Sequence, residues 1–146
     1  MYKKYENKKR ILSILLITAI FATLLGMCAY AVTYSVGFSF NTGSSGNAYV
    51  DGSANGKYYS LSKGTATLRL TDSAGCYSGG SYSVTLYRKN WTGISTKHGT
   101  LTASTTGSGT YHSQTFNIPS DSDKYYLLAK GQGYFCTYAA TGTLTQ

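Results

Sequence analysis

Hydrophobic and polar residues alternate with a period of two through most of the chain after residue 31. In VTYSVGFSF, small and polar residues alternate with large ones that share one face: Val32, Tyr34, Val36, Phe38 and Phe40. The alternation recurs in TATLRLT, SYSVTLYRK and YFCTYAATGTLT, and again up to Phe116 and Ile118. Because Gly-, Asn- and Ser-rich segments separate these stretches, the pattern predicts half-buried strands joined by turns.

The fold class follows from the number of these strands and from the lack of a helical period. KYYLLAK, residues 124–130, predicts a further strand that is buried on both faces. Weaker strands are predicted at 49–50, 58–61 and 99–103. About eight short strands between turns predict an all-β domain, a single antiparallel two-sheet β-sandwich of jelly-roll type.

The first 31 residues have the layout of a secretory signal peptide. A basic segment, MYKKYENKKR, precedes the uncharged ILSILLITAIFATLL, and Ala29 and Ala31 form a small-x-small cleavage pattern. We expect cleavage after Ala31, which leaves residues 32–146 as one secreted or cell-surface domain, and the lysine-rich start favours a Gram-positive producer. Two alternatives stay open. Residues 11–31 are long enough for an uncleaved anchor, and Cys28 is a candidate for lipidation, although Met27 is a poor match to the small residue expected before it.

The net charge of the secreted part limits the partners that we expect it to bind. Five of the thirteen basic residues and one of the five acidic residues precede Val32, so the formal net charge falls from +8 to +4. This charge favours weak attraction to anionic envelope polymers. It does not predict nucleic-acid binding, because lysine and arginine form no repeated cluster along a strand. Membrane contact is expected only through the signal segment, if that segment is retained.

The cysteines predict one disulfide. Cys76 and Cys136 remain after cleavage, and an even number in an exported protein favours pairing. The bond would join the segment before SYSVTLYRK to the C-terminal strand. The alternative is two free buried thiols. Metal binding is not expected, because it would need further ligands.

Catalytic residues are scarce. Residues 32–146 contain four aspartates, two histidines and no glutamate. Asp121 and Asp123 suggest paired catalytic carboxylates or a calcium site, but PSDSDKYY also fits a polar turn and lacks the ligand ladder of an EF-hand. His98 and His112 are two ligands short of a tetrahedral zinc site, and we expect both at the surface. Without a G-x-S-x-G motif either, we expect neither enzymatic activity nor a cofactor or metal.

The segment YRKNWTGISTKHG, residues 87–99, is the best candidate for binding. It places the single tryptophan among cationic groups, and a flat ring beside cations suits a sugar ring or an anionic head group. The alternative is that the indole folds back and caps the rim of the sandwich. The predicted binding residues are Tyr87, Arg88, Lys89, Trp91, Lys97 and His98.

Tyrosine is abundant, with twelve residues after position 31. Tyrosine is enriched in binding surfaces but is also a good strand residue. Both interpretations stay open for the tyrosines that we expect to be exposed, namely Tyr58, Tyr59, Tyr77, Tyr87, Tyr111, Tyr125 and Tyr134.

The stretches YSVTLYRK, FNIPSDSDKYYLLAKG and ATGTLTQ resemble small β-sandwich accessory domains of secreted bacterial proteins, of the pre-peptidase C-terminal and carbohydrate-binding type. The resemblance covers roughly the last eighty residues and rests on strand rhythm. It implies an accessory or binding role. The acidic residues that often precede a leucine-tyrosine pair in such domains are absent, because Thr85 precedes Leu86 and Tyr87, which puts a calcium site of that type in doubt.

Three functions remain as hypotheses. The first is non-enzymatic binding of a cell-wall polymer or polysaccharide through the aromatic and basic loop. The second is a self-assembling subunit of a surface layer, fibre or biofilm matrix, with VTYSVGFSF as the strand that reaches a neighbour. The third is an antimicrobial or toxin-like protein, which the basic charge favours and the lack of an amphipathic cationic helix disfavours.

Overall fold

The computed structural model describes residues 31–43, 48–76, 80–105, 107–133 and 135–146. The predicted signal peptide and Cys28 lie outside these residues. Where the structure is described, no helix has the length and apolar character needed to cross a membrane. The elements are β1 (Thr33–Thr42), β2 (Ala48–Val50), a 3₁₀ turn (Gly52–Ala54), β3 (Tyr59–Leu61), β4 (Gly64–Ala74), β5 (Gly80–Lys89), β6 (Ser95–Thr105), β7 (Tyr111–Ile118), β8 (Ser122–Gln132) and β9 (Cys136–Thr145).

The strands form the two antiparallel sheets of a jelly roll. Strands from the two ends of the chain pair in a nested order: β1 pairs with β9, β2 with β8, β4 with β7 and β5 with β6. Pairing of β9 with β4 and of β8 with β5 completes the orders β1-β9-β4-β7 and β2-β8-β5-β6. The short β3 also pairs with β8. Two sheets with this nested order are a double-sheet jelly roll, so the predicted fold is confirmed.

The core lies between the sheets and is filled by alternate residues of each strand. The predicted inward faces of β4, β5, β7 and β9 are buried as expected. On the first predicted strand Val36, Phe38 and Phe40 are buried, whereas Val32 is 43% exposed and Tyr34 is half-buried. On β8, Tyr125 and Leu127 are buried, whereas Tyr126 and Leu128 are half-buried on the outer face. The prediction that β8 is buried on both faces is therefore wrong for the outer face, because neither sheet packs against that side.

The sandwich has two distinct ends. The hairpin end carries the β5–β6 turn at 90–94, the β7–β8 connection at 119–121 and residues 62–63. Val32 and Gln146 pair there through two backbone hydrogen bonds of 3.0 Å. The disulfide end carries the β4–β5 and β8–β9 connections, and Cys76 and Cys136 are bonded there. The predicted disulfide is confirmed, and it ties the entry of β5 to the start of β9.

Two buried aspartates hold the strands through tyrosine hydroxyls. The Asp72 side chain has 0% exposure and accepts a hydrogen bond of 2.5 Å from Tyr82, while His112 Nε2 lies 2.9 Å from its other oxygen. Asp51 accepts hydrogen bonds from Tyr49 and from Tyr59. Each carboxylate loses its water on burial and regains partners within the protein.

Candidate functional site

The β5–β6 turn projects its apolar residues away from the protein. Trp91 is 95% exposed and Ile94 is 65% exposed. The Oδ1 atom of Asn90 accepts hydrogen bonds from the Ile94 N–H at 2.8 Å and from the Thr92 hydroxyl at 2.7 Å. Gly93 adopts φ 86°, which favours glycine, and its N–H donates to the Asn90 carbonyl. The turn is thus locally fixed, and the alternative that Trp91 caps the sandwich rim is wrong.

A cleft of about 620 Å³ lies beside Trp91 at the hairpin end. Arg88, Lys89 and Trp91 form one wall, because they end β5 and begin the turn. Tyr58 comes from the connection before β3, and residues 121–124 come from the start of β8. The topology brings these walls together, since β8 lies between β5 and the β2–β3 edge.

The polar groups of the cleft differ in how firmly they are held. Arg88 donates a hydrogen bond to the Ser120 hydroxyl, which fixes the guanidinium against the β7–β8 connection. Asp121 accepts a hydrogen bond of 2.6 Å from the Lys63 N–H. Lys124 lies 3.6 Å from the exposed Asp123 carboxylate and 5.1 Å from the centre of the Tyr58 ring. An exposed ion pair of this kind is weak, so Lys124 is available to a ligand.

The structure places the six predicted binding residues in three locations. Arg88, Lys89 and Trp91 line the cleft together. Tyr87 and Lys97 are paired residues on β5 and β6. The Tyr87 ring stacks on Tyr126 with centroids 5.5 Å apart on the outer face of the second sheet, outside the cleft.

His98 faces the interior instead of the cleft. It is the extra residue of a β-bulge, since Leu86 pairs with Gly99 and Tyr87 with Lys97. Its Nε2 is buried and has no hydrogen-bond partner among the described residues, and its ring lies 5.5 Å from that of Tyr125. Burial and, secondarily, the charge of Arg88 lower the pKa of His98 below 6.5. The expectation that His98 and His112 lie at the surface is wrong, because both rings pack inward.

Sequence reasoning missed part of the cleft. Asp121 in the β7–β8 connection, with Asp123 and Lys124 on β8, joins the cleft only through the sheet order, and the sequence had suggested a polar turn there. Tyr58 is half-buried in the cleft wall, whereas Tyr59 and Tyr125 are buried in the core, which corrects their predicted exposure. The alternation could have found the buried Asp72, since it continues the inward face of Ala66, Leu68 and Leu70. Among the described residues, no group of three or more metal-ligating side chains comes together.

The chain matches no known protein-family model and no curated protein. A solved structure of the infectious bursal disease virus Gt strain aligns with 80% of this chain at 18% identity and a TM-score of 0.46. The alignment covers 33% of that viral chain, so this chain spans about a third of its length. A similarity at this level does not establish a family.

Proposed function

We propose that the domain is a secreted, non-enzymatic module that binds a hydroxyl-rich anionic polymer of the cell envelope in the cleft beside Trp91. The observation that carries the proposal is the 95% exposure of Trp91 on a turn fixed by Asn90. A large aromatic side chain held in water on a rigid turn is unfavourable for solubility but favourable for a stacking contact. This accessory role is also what the resemblance to carbohydrate-binding sandwiches implies.

The charge distribution supports an anionic ligand. Five of the eight basic residues after position 31 lie on or beside the connections at the hairpin end, where they outnumber the two carboxylates, Asp121 and Asp123. Such a concentration attracts polyanions and raises their local concentration. The basic residues at this end are Lys63, Arg88, Lys89, Lys97 and Lys124, and the three elsewhere are Lys57, Arg69 and Lys130.

The test is co-sedimentation of oxidised residues 32–146 with purified Gram-positive cell walls, before and after removal of teichoic acid. Trp91→Ala is compared with Tyr111→Ala, because Tyr111 is a 58% exposed aromatic residue at the opposite end. We expect Trp91→Ala to lose binding while its unfolding free energy stays within about 0.5 kcal/mol of wild type. Tyr111→Ala should bind normally. Equal binding by both variants, or none by folded wild type, overturns the proposal.

The sheet edges favour self-association as a second candidate function. The strand β1 forms an edge of its sheet, and its sequence TYSVGFSFNT contains no charged residue. An uncharged edge strand lacks a common device against pairing with a neighbour. In this structure β1 pairs along its whole length with β9 of the same chain, so a neighbour would add to its free edge. Sedimentation velocity over a hundredfold concentration range tests this: a constant monomer excludes it, and assembly suppressed by Ser35→Lys supports it.

A further inference from the structure

A second hollow, of about 280 Å³, lies on the other side of Lys89 from the Trp91 cleft. Its walls include Ser53, Gly93, Ser95 and Tyr126. Among the residues that the structure describes, Lys89 is the one that lines both this hollow and the cleft. The two depressions are therefore neighbours along one surface, with a lysine between them.

The boundary between them is a hydrogen-bonded ridge. Lys89 Nζ donates to the Ser53 hydroxyl at 2.8 Å, and the Tyr58 hydroxyl lies 3.0 Å from the same oxygen. Tyr58 lines the cleft and Ser53 lines the hollow. The ammonium group has donors to spare for a ligand, because it carries three and uses one here.

Each depression also has an aromatic wall. Tyr58 and Trp91 line the cleft, and Tyr126 lines the hollow. The Tyr58 and Tyr126 rings lie edge to face with centroids 6.4 Å apart, and the Tyr126 hydroxyl donates to Ser95 at 2.8 Å. Aromatic rings with neighbouring hydroxyls suit polyol or sugar units, so each depression can accept one such unit, although Tyr87 already covers one face of the Tyr126 ring.

We propose that the two depressions are consecutive subsites for a linear polyol or sugar chain whose units are joined by phosphodiesters, with the joining phosphate at Lys89. The inference rests on the proposed polymer-binding function and specifies its ligand. Among the described residues, Lys89 is the cation that lines both subsites and lies between them, whereas Arg88 and Lys124 line the cleft alone, so an anionic group that joins two successive units would reach Lys89. A phosphodiester carries its charge in the linkage itself, whereas a uronic acid carries it on the ring.

Chain length and linkage charge test the proposal by calorimetry. The ligands are sn-glycerol 3-phosphate, a synthetic glycerol phosphate hexamer and a neutral glucose hexamer. We expect the phosphate hexamer to bind at least about tenfold more tightly than the monomer, because it fills both subsites. The neutral hexamer should bind at least about tenfold more weakly than the phosphate hexamer, because it has no anion for Lys89.

The matched variants are Lys89→Met, which keeps the aliphatic stem, and Lys130→Met, which removes an exposed lysine from β8 away from the ridge. Lys89→Met should remove the advantage of the phosphate hexamer over the neutral hexamer and reduce its advantage over the monomer, and Lys130→Met should preserve both advantages. Equal binding of monomer and hexamer, equal binding of the neutral hexamer, or an unaffected Lys89→Met overturns the two-subsite assignment while leaving Trp91-dependent wall binding intact. Absence of wall binding by wild type overturns the polymer-binding function and this inference together.

Discussion

The Oδ1 atom of Asn90 lies 2.8 Å from the backbone nitrogen of Ile94 and accepts its hydrogen bond across the β5–β6 turn. This bond joins the first residue of the turn to the last one. Trp91 lies between them, so the turn conformation directs its side chain away from the protein. Asn90 is therefore a positioning residue for the proposed site, although it also lines the cleft.

Asn90→Ala should loosen the turn and weaken polymer binding. The variant lacks the Oδ1 atom that accepts hydrogen bonds from the Ile94 N–H and from the Thr92 hydroxyl. This loss should lower the unfolding free energy by about 1 kcal/mol. Trp91 is the single tryptophan, so its fluorescence anisotropy should fall as the turn gains freedom. Thr92→Val is the control, because it removes one of these bonds and leaves the Ile94 bond. Unchanged anisotropy and affinity in Asn90→Ala would contradict the positioning role.

Gly142→Ala should destabilise the domain by about 2 kcal/mol or more, as expected for overpacking. A Cβ at this position would overlap the carbonyl oxygen of Arg69, where β4 lies against the central strand β9. Gly37→Ala is the matched control on the neighbouring strand, since its nearest contact would be 3.7 Å away. Urea midpoints compare the two variants, and similar midpoints would show that β9 can shift.

Replacing both disulfide cysteines, Cys76→Ser with Cys136→Ser, should lower the unfolding free energy by about 4 kcal/mol. The bond joins residues 60 positions apart, and opening such a loop restores entropy to the unfolded chain. Urea unfolding of this variant and of wild type, each under non-reducing conditions, measures the loss. A loss below about 1 kcal/mol would show that the β8–β9 and β4–β5 connections hold this end without the bond.

Stability should fall as the pH rises above 10. Burial, followed by hydrogen bonds to Asp51 and Asp72, raises the pKa of Tyr59 and Tyr82 above the ordinary 10.0. The unfolded chain then releases these protons at lower pH than the folded chain, so the stabilisation is complete below pH 10 and is lost above it. Urea midpoints from pH 8 to pH 11 measure the slope. Tyr82→Phe should be less stable at pH 8 and should show a shallower loss, and an unchanged slope would contradict the assignment.

Stability should also fall as the pH drops below 6.5, in part through His98. Its folded pKa lies below 6.5, because the half-buried ring loses water beside Tyr125 and, secondarily, because the charge of Arg88 is close. The unfolded state takes up the proton first, so the full stability is present above pH 6.5 and this contribution declines from there toward the folded pKa. His98→Gln should show a smaller loss between pH 7 and pH 5. An identical loss would contradict the assignment to His98.

The alternation of side chains by itself determined the strands and most of their inward faces. Because side chains alternate between the two faces of a strand, a shift by one residue would reverse the faces. Ala66, Leu68 and Leu70 can therefore be buried together in one way only. The same holds for Tyr82, Val84 and Leu86. The disulfide could also be predicted from the sequence. The even number of cysteines suggested the pair, and the predicted strands placed Cys76 before β5 and Cys136 at the start of β9. Trp91 could be selected from the sequence as unusual, but its exposure could not, because that depends on the hydrogen bonds within 90–94.

Only the tertiary structure decided which residues share the candidate site. The jelly-roll order places β8 beside β5, and this joins Lys124 and Tyr58 to Lys89 although they are distant along the chain. A single bulge placed Lys97 on the outer face and His98 in the interior, which separated them from Trp91. Alternation within a strand is a local property fixed by backbone geometry, whereas strand order and bulges depend on contacts between distant segments. The sequence therefore determined the faces, and the packing of the sheets determined the site.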